Sequence, residues 1–229
     1  MPNVGIASIR AQAKDGRSVV VQQFGKAPLQ VHAPLYLENT DYPTVYLRSP
    51  SAGLLDGDTH QLDIIVEAGA KLEVRSQAAT LVYPGRSSQT IRITLASGAT
   101  LVFTPHPFIL ASHAAFRQDV EINLADDSKL VFCDHWCAGR IAMGERFQFE
   151  SFANKIRILR NDELVFAEAW QIHARQENLS QFAIASDFNQ FRSLYEFGSI
   201  ASQVPDLLGE SRQWSLARQP DRVTRTAAY

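Results

Sequence analysis

The chain has 229 residues, of which 45% are hydrophobic and 20% charged, and its 22 Lys+Arg against 24 Asp+Glu give a formal net charge of -2. That length suits one all-β domain over 1–229 with a real core, and the balanced charge argues against a nucleic-acid binder held by clustered Lys and Arg. No apolar run approaches the ~20 residues needed to span a bilayer, so no membrane span is expected. Met1-Pro2-Asn3-Val4 lacks the basic and apolar regions of a signal peptide, and two cysteines without such a signal point to a reducing compartment, the cytoplasm by default.

In chain order, residues 17–37 read as a strand pair broken by Gly25-Lys26-Ala27-Pro28. Residues 49–58 read as a loop in which Gly53 and Gly57 mark positive φ or close backbone approach. Asp58 beside them is the loop's candidate for an ion contact or, preferably, a turn-capping bond. From 61 to about 170 a repeat dominates. Leu62-Asp63-Ile64-Ile65-Val66, Gly69-Ala70 and Lys71-Leu72-Glu73-Val74 return twenty-nine positions on (62 to 91) as Ile91-Arg92-Ile93-Thr94-Leu95, Gly98-Ala99 and Thr100-Leu101-Val102-Phe103. The same interval (91 to 120) brings Val120-Glu121-Ile122-Asn123-Leu124, Asp127-Ser128 and Lys129-Leu130-Val131-Phe132; a shortened fourth copy runs over 156–166. Each copy alternates apolar and polar residues around a tight turn, the pattern of a hairpin with one buried face. A single copy cannot bury that face, but stacked copies can, so an all-β, β-helix-like pile of antiparallel or mixed layers with few short helices is expected.

Tyr83-Pro84-Gly85 reads as a turn, and Pro105 and Pro107 mark a strand exit or an edge. Gly139 to Glu145 connects the third and fourth copies, Phe191 to Phe197 reads as a last strand, and Ser202 to Leu208 as the opening of a short helix.

No Gly-x-Ser-x-Gly, Walker A, His-Glu-x-x-His or dinucleotide Gly-x-Gly-x-x-Gly motif occurs. The repeat superposes Ser76, Pro105 and Asp134 at one register, with Glu168 joining when Leu164 is matched to Leu130; Gln77, His106 and His135 fall at the next. Stacked layers would bring these carboxylates and imidazoles together as a ladder able to bind or pass a divalent ion, unless they are simply solvated strand ends. Cys133, His135 and Cys137 share one strand face, but same-face neighbours on an extended strand stand nearly 7 Å apart, long for one ion. His60, His113 and His173 have no partner at ligand spacing and read as structural or surface residues. Arg140, Glu145 and Arg146 lie in a Gly-bounded loop, either a salt-bridged turn or a partner-facing one.

Several segments in order resemble the UreD/UreH family of urease accessory proteins. Asp15-Gly16-Arg17-Ser18 and Ala27-Pro28-Leu29-Gln30-Val31 match its N-terminal pattern, and Ala52-Gly53-Leu54-Leu55-Asp56-Gly57-Asp58 looks like its Gly-Gly-x-x-Gly-Gly-Asp loop. Ser76-Gln77-Ala78-Ala79-Thr80 with Val82-Tyr83, then Pro107-Phe108-Ile109, then Asp134, Gly139-Arg140, Met143-Gly144-Glu145 and Phe147 follow in the family's order from about residue 15 to 172. Ala52 and Asp56 replace loop glycines, Leu81 a basic residue and Asp134 a glutamate, and members normally continue past Tyr229 into an Arg/Trp-rich stretch. The resemblance implies a non-enzymatic chaperone that binds apo-urease and UreF, which recruits the nickel-carrying GTPase UreG. It also implies passage of transient Ni²⁺ along an internal acidic path, with no tightly bound cofactor. On this reading Asp58, Asp134, Glu168, His106 and His135 are the candidate nickel path, and Arg140, Glu145, Gly53 and Gly57 the candidate partner-binding residues. Two other readings remain open from the residues: a metal-dependent or acid-base enzyme using Asp134, His135 and His106, and a β-solenoid binding module without a metal role.

Overall fold

The computed structural model describes residues 3–37, 40–50, 53–174, 188–198, 211–218 and 221–228; the stretch 202–208, expected to open a helix, lies outside them. Two sheets face each other. The first holds β1 (Val4–Lys14), β2 (Arg17–Lys26), β6 (Thr59–Val66), β9 (Gly85–Leu95), β12 (Ala114–Leu124), β14 (Ser151–Arg160) and β15 (Glu163–Ile172), in the order β15-β14-β12-β9-β6-β1-β2. The second holds β3 (Gln30–Val31), β4 (Thr44–Arg48), β7 (Lys71–Ser76), β10 (Thr100–Thr104), β13 (Lys129–Cys137), β16 (Gln190–Phe197), β17 (Ser211–Arg218) and β18 (Asp221–Ala228). Three short strands, β5 (Gly53–Leu54), β8 (Thr80–Val82) and β11 (Phe108–Leu110), pair side by side and reach β13 as a second tier. The only helical turn among the described residues is Ile141–Met143, and no helix there is long and apolar enough to cross a membrane.

The repeat copies stack in sequence order and in register: Leu62 pairs with Ile91, Ile91 with Val120, and Val120 with Ile156, all parallel. In the facing sheet Leu72, Leu101 and Leu130 align in the same way. The expected hairpins are not what the first three copies form. In each, the first strand lies in one sheet and the second in the other, so the turn is an arch between sheets. The fourth copy, β14–β15, is a true antiparallel hairpin. The difference lies in the turn. Asn161 and Asp162 both have positive φ (48° and 64°), the geometry of a two-residue type I′ hairpin turn. The first two arches each have a single positive-φ glycine, Gly69 or Gly98, followed by a fully buried alanine, Ala70 or Ala99, at the corner. Ser128 fills that corner in the third copy, its hydroxyl donating to the Ala125 carbonyl at 2.8 Å.

A strand not anticipated from the sequence, β1, pairs parallel with β6 and antiparallel with β2. Strand β2 therefore pairs with β1 rather than with residues beyond the Gly25-Lys26 break. Phe191–Phe197 falls within β16, which is followed by β17 and β18 rather than ending the fold. Gly53 and Gly57 hold φ of 150° and 84°. A Cβ on Gly53 would overlap the Leu81 carbonyl of β8, so only glycine fits there.

Inward apolar rows, such as Ile64 with Ile93, Ile122 and Ile158, form the main core. A second core of Phe108, Phe116, Trp136, Phe149 and Phe152 fills the other end of the strands. On the outer face of the first sheet, Asp63, Arg92, Glu121 and Arg157 lie in one cross-strand row. Their signs alternate, so the in-register stack joins opposite charges, with Arg92–Asp63 at 3.7 Å and Arg157 on Glu121.

Ile93→Ala is expected to cost ~2–5 kcal/mol by denaturant unfolding, because a layered core cannot close over the lost methyls. Glu121→Gln, on the exposed ladder, is expected to cost no more than ~1 kcal/mol in the same assay. Gly53→Val is expected to lower the melting temperature through both the backbone angle and the clash with Leu81; an unchanged melting curve would show that β5 and β8 part without consequence.

Candidate functional site

The second sheet has a fault running across it. Strand β4 stops at Arg48, β7 at Ser76 and β10 at Thr104; their continuations β5, β8 and β11 restart at Gly53, Thr80 and Phe108. Pro105 and Pro107 stand in the gap after β10, where neither has an N–H to donate to a ladder. Only β13 runs through unbroken, pairing with β10 up to Phe132 and with β11 from Trp136. Between those points Cys133, Asp134 and His135 lack a strand on that side. A cavity of about 180 Å³ opens at the fault, lined among others by His106, Asp134, His135, Gln118, Gln89 and His60.

Beneath the fault the first sheet presents a polar row. His60, Gln89, Gln118 and Asn154 are register partners on β6, β9, β12 and β14. Each stands two residues ahead of its repeat copy, so the row separates the two apolar cores. His60, Gln118, Asn154 and, from the facing sheet, Asp134 are all buried. The carboxamides form a chain. Gln89 Nε2 donates to Gln118 Oε1 at 3.2 Å; Gln118 Nε2 donates to Asp134 Oδ1 at 2.8 Å; Asn154 Nδ2 donates to Asp134 Oδ2 at 2.6 Å. Asp134 thus faces neutral amides. Burial pushes its pKa up, against these two hydrogen bonds, which favour the charged form.

Two buried imidazoles of the cavity, His60 and His135, have their pKa values lowered. Burial brings His60 down to about 4, with the Asp58 charge opposing. His135 is also brought down to about 4, by burial and then by the charge of Arg192, which lies across from it on β16. His60 Nε2 and His135 Nε2 are buried without a hydrogen-bond partner. His106 is exposed at the mouth, its backbone N–H donating to Ser76 Oγ at 2.7 Å. Cys133 and Cys137 are buried and unpaired by disulfide, and burial pushes their thiols up to about 12 and about 11, so neither is a ready thiolate ligand.

The remaining candidates fall elsewhere. Glu168 does not stack beside Asp134 in one sheet, because the fourth copy folds back as a hairpin and leaves it on β15 of the first sheet. Its carboxylate is taken by the Arg225 guanidinium and by the Trp170 indole N–H at 2.8 Å. Asp58 accepts the Asn3 and Leu55 amides at 3.0 Å each, the capping role. Arg140 donates to Glu145 at 2.7 Å, and Glu145 also accepts the Ser112 amide at 3.2 Å. This pairing holds Glu145 below the usual carboxylate range, chiefly through the Arg140 hydrogen bond, and braces a loop whose tip exposes Ile141 and Met143. His60, expected to be structural or surface, is buried and lines the cavity. Among the described residues, no three His, Cys, Asp or Glu side chains converge as a metal-binding group.

A family model for the UreD urease accessory protein matches residues 3–228. The chain belongs to the UreD family. It is 37% identical over 225 residues to urease accessory protein UreD 2 of Synechococcus sp. strain JA-3-3Ab, covering 92% of this chain and 82% of that protein. It is 38% identical over 236 residues to the UreD of Synechococcus sp. strain JA-2-3B'a(2-13), covering 97% and 86%. With UreH of Helicobacter hepaticus it shares 27% over 189 residues, covering 81% and 74%. These relatives are named as accessory proteins, not as urease itself.

Asp134 has a measurable signature. An acid whose folded pKa lies above its unfolded value, near ~3.9 for Asp, contributes no penalty below that value and costs stability as pH rises from it toward the folded pKa. Asp134→Asn is therefore expected to raise the urea midpoint at pH 7, with the gain shrinking as pH falls toward 4. The Gln118 and Asn154 amides can turn their oxygens to the new amide. An Asn variant less stable than the parent at pH 7 would mean that the two donated hydrogen bonds outweigh burial.

Proposed function

We propose that the chain is a non-enzymatic chaperone of urease maturation, a cytoplasmic scaffold that binds apo-urease with UreF-type and UreG-type partners and relays Ni²⁺ toward the urease site. The observation that carries this reading is Asp134, a carboxylate buried among neutral amides where the second sheet opens into a cavity. A divalent cation arriving there supplies the countercharge that the amides cannot, and its arrival relieves the burial of a negative charge. Ni²⁺ enters as cargo, not as a resident cofactor. A single carboxylate with scattered imidazoles binds more weakly than a closed ligand set, which suits transfer over storage. His106 at the mouth is the first donor on the route, and Asp134 the deepest anion. Glu168 and Asp58, which are not among the residues lining the cavity, serve the frame.

Partner binding falls to the braced loop. The Arg140–Glu145 pair fixes the backbone that presents Ile141 and Met143, and a rigid apolar tip is the type of surface that loses little entropy on docking. Gly53 and Gly57 shape the neighbouring loop that seats β5 against β8.

The test separates the two roles in a reconstituted urease activation assay at limiting nickel. Asp134→Ala is expected to leave co-elution with the partners intact while slowing activation roughly tenfold, the scale seen when one supporting group leaves a metal site. Arg140→Ala is expected to weaken co-elution. Full activation by Asp134→Ala at limiting nickel would end the conduit role of this cavity.

A further inference from the structure

The polar row reaches beyond Asp134. His60 stands two strands away from Gln118 along it, about 10 Å at the usual strand spacing, so it cannot share an ion with Asp134. It lines the same cavity, is 2% exposed, and its Nε2 has no hydrogen-bond partner. A buried imidazole nitrogen without a partner is costly to keep unless it serves a purpose. Between His60 and Gln118, which holds Asp134, the row carries the neutral carboxamide of Gln89. The charged residue acting on His60 is the anion Asp58. His135 by contrast faces the cation Arg192, which repels an approaching divalent ion. The cavity therefore holds an attracting carboxylate at one station and, at a separate station, a buried imidazole whose charged neighbour is an anion.

We propose that His60 is a nitrogen-donor station that gives the cavity its preference for borderline transition-metal cations over Mg²⁺ and Ca²⁺. The inference rests on the conduit reading and adds to it the residue that sets cation identity. Carboxylate oxygens accept Mg²⁺ and Ca²⁺ readily, so Asp134 attracts divalent cations with little distinction. A neutral imidazole suits Ni²⁺ and is a poor partner for the hard ions. Only a cation that can exchange a water for nitrogen gains by moving from Asp134 to His60. The row thus sorts after it attracts, and keeps each site weak enough to release its ion.

The experiment uses the purified full chain and NiCl₂ alone, in equilibrium dialysis with and without a large excess of Mg²⁺. Histidine imidazole NMR signals are read in parallel for paramagnetic broadening. The parent protein should retain Ni²⁺ against Mg²⁺, with the His60 signals broadened at lower Ni²⁺ than those of exposed His32. His60→Asn and His60→Leu should each reduce Ni²⁺ retention in Mg²⁺ by roughly tenfold or more, with strand circular dichroism unchanged in at least the Asn variant. Asp134→Asn should weaken binding of both cations. If both His60 variants keep the parent's Ni²⁺ preference while Asp134→Asn loses binding, the sorting role is overturned and the conduit stands. If Asp134→Asn binds Ni²⁺ as the parent does, the conduit reading falls, and the sorting role with it. Should both His60 variants lose their strand spectrum, the NMR titration of the parent decides, and late broadening of His60 overturns the proposal.

Discussion

Parallel pairing without slip governs the rest of this molecule. Because β6, β9, β12 and β14 align position for position, every inward residue of one layer lies on the same row as its counterparts in the others. Apolar residues at such positions fuse into one core, and a single polar substitution in the repeat would bury an unsatisfied group. Repeated in every layer, it becomes a ladder whose members satisfy one another. The carboxamides of Gln89, Gln118 and Asn154 are that case, with His60 at the end of their row. Its amide-to-amide bonds run along the stacking direction, so the same geometry that builds the core also builds a polar lane through it.

A lane needs an opening, and the fault in the second sheet provides one. Each of β4, β7 and β10 ends before its continuation begins, while β13 bridges the gap. The arrangement leaves backbone without ladder partners over several residues. That irregular backbone lines the cavity rather than lying in the packed core, where its polar groups would be hardest to satisfy. Asp134 sits on the one strand that the fault does not interrupt, so its carboxylate is positioned by a continuous ladder with β16 on the other side. A buried anion on a regular strand, beside an irregular gap, combines a fixed position with access.

The sequence announced the layers because apolar alternation and turn residues recur twenty-nine positions apart, from 62 to 91 to 120. It did not separate arches from hairpins, since both read as strand, turn, strand. The distinction lies in one positive-φ residue at Gly69 against two at Asn161 and Asp162, and Asn-Asp in place of a lone glycine was the available signal. The misplacement of Glu168 follows directly from that ambiguity. Strand β1 escaped notice because Gly5, Ala7 and Ala11 fill three of its inward positions, and small side chains carry little hydrophobic contrast. His60 looks isolated in the sequence because its row partners are carboxamides rather than metal-ligating residues. Extending the repeat two residues upstream aligns it with Gln89 and Gln118, a row of polar residues where an alternating strand should turn inward. The Arg225 partner of Glu168 lies 57 residues away in a strand outside the repeat, and no local pattern marks it.

The loop and the lane are linked through β13. Asp134 lies on that strand, and the chain leaves it at Cys137 to enter the loop braced by Arg140 and Glu145. Ala138 anchors the exit, its N–H donating to Asn189 at 2.7 Å and its carbonyl accepting from Phe147 at 2.7 Å. Trp136, between Asp134 and the loop, stacks on Phe191 with ring centroids 4.2 Å apart and meets Phe152 edge-on. A close-packed aromatic cluster transmits displacement because it has no free volume in which to absorb it. The Ile141–Met143 turn thus lies only a few residues from Asp134 along a strand held by β16 and by the aromatic core. In this fold, the exposed Ile141–Met143 tip and the buried Asp134 carboxylate belong to one continuous stretch of chain.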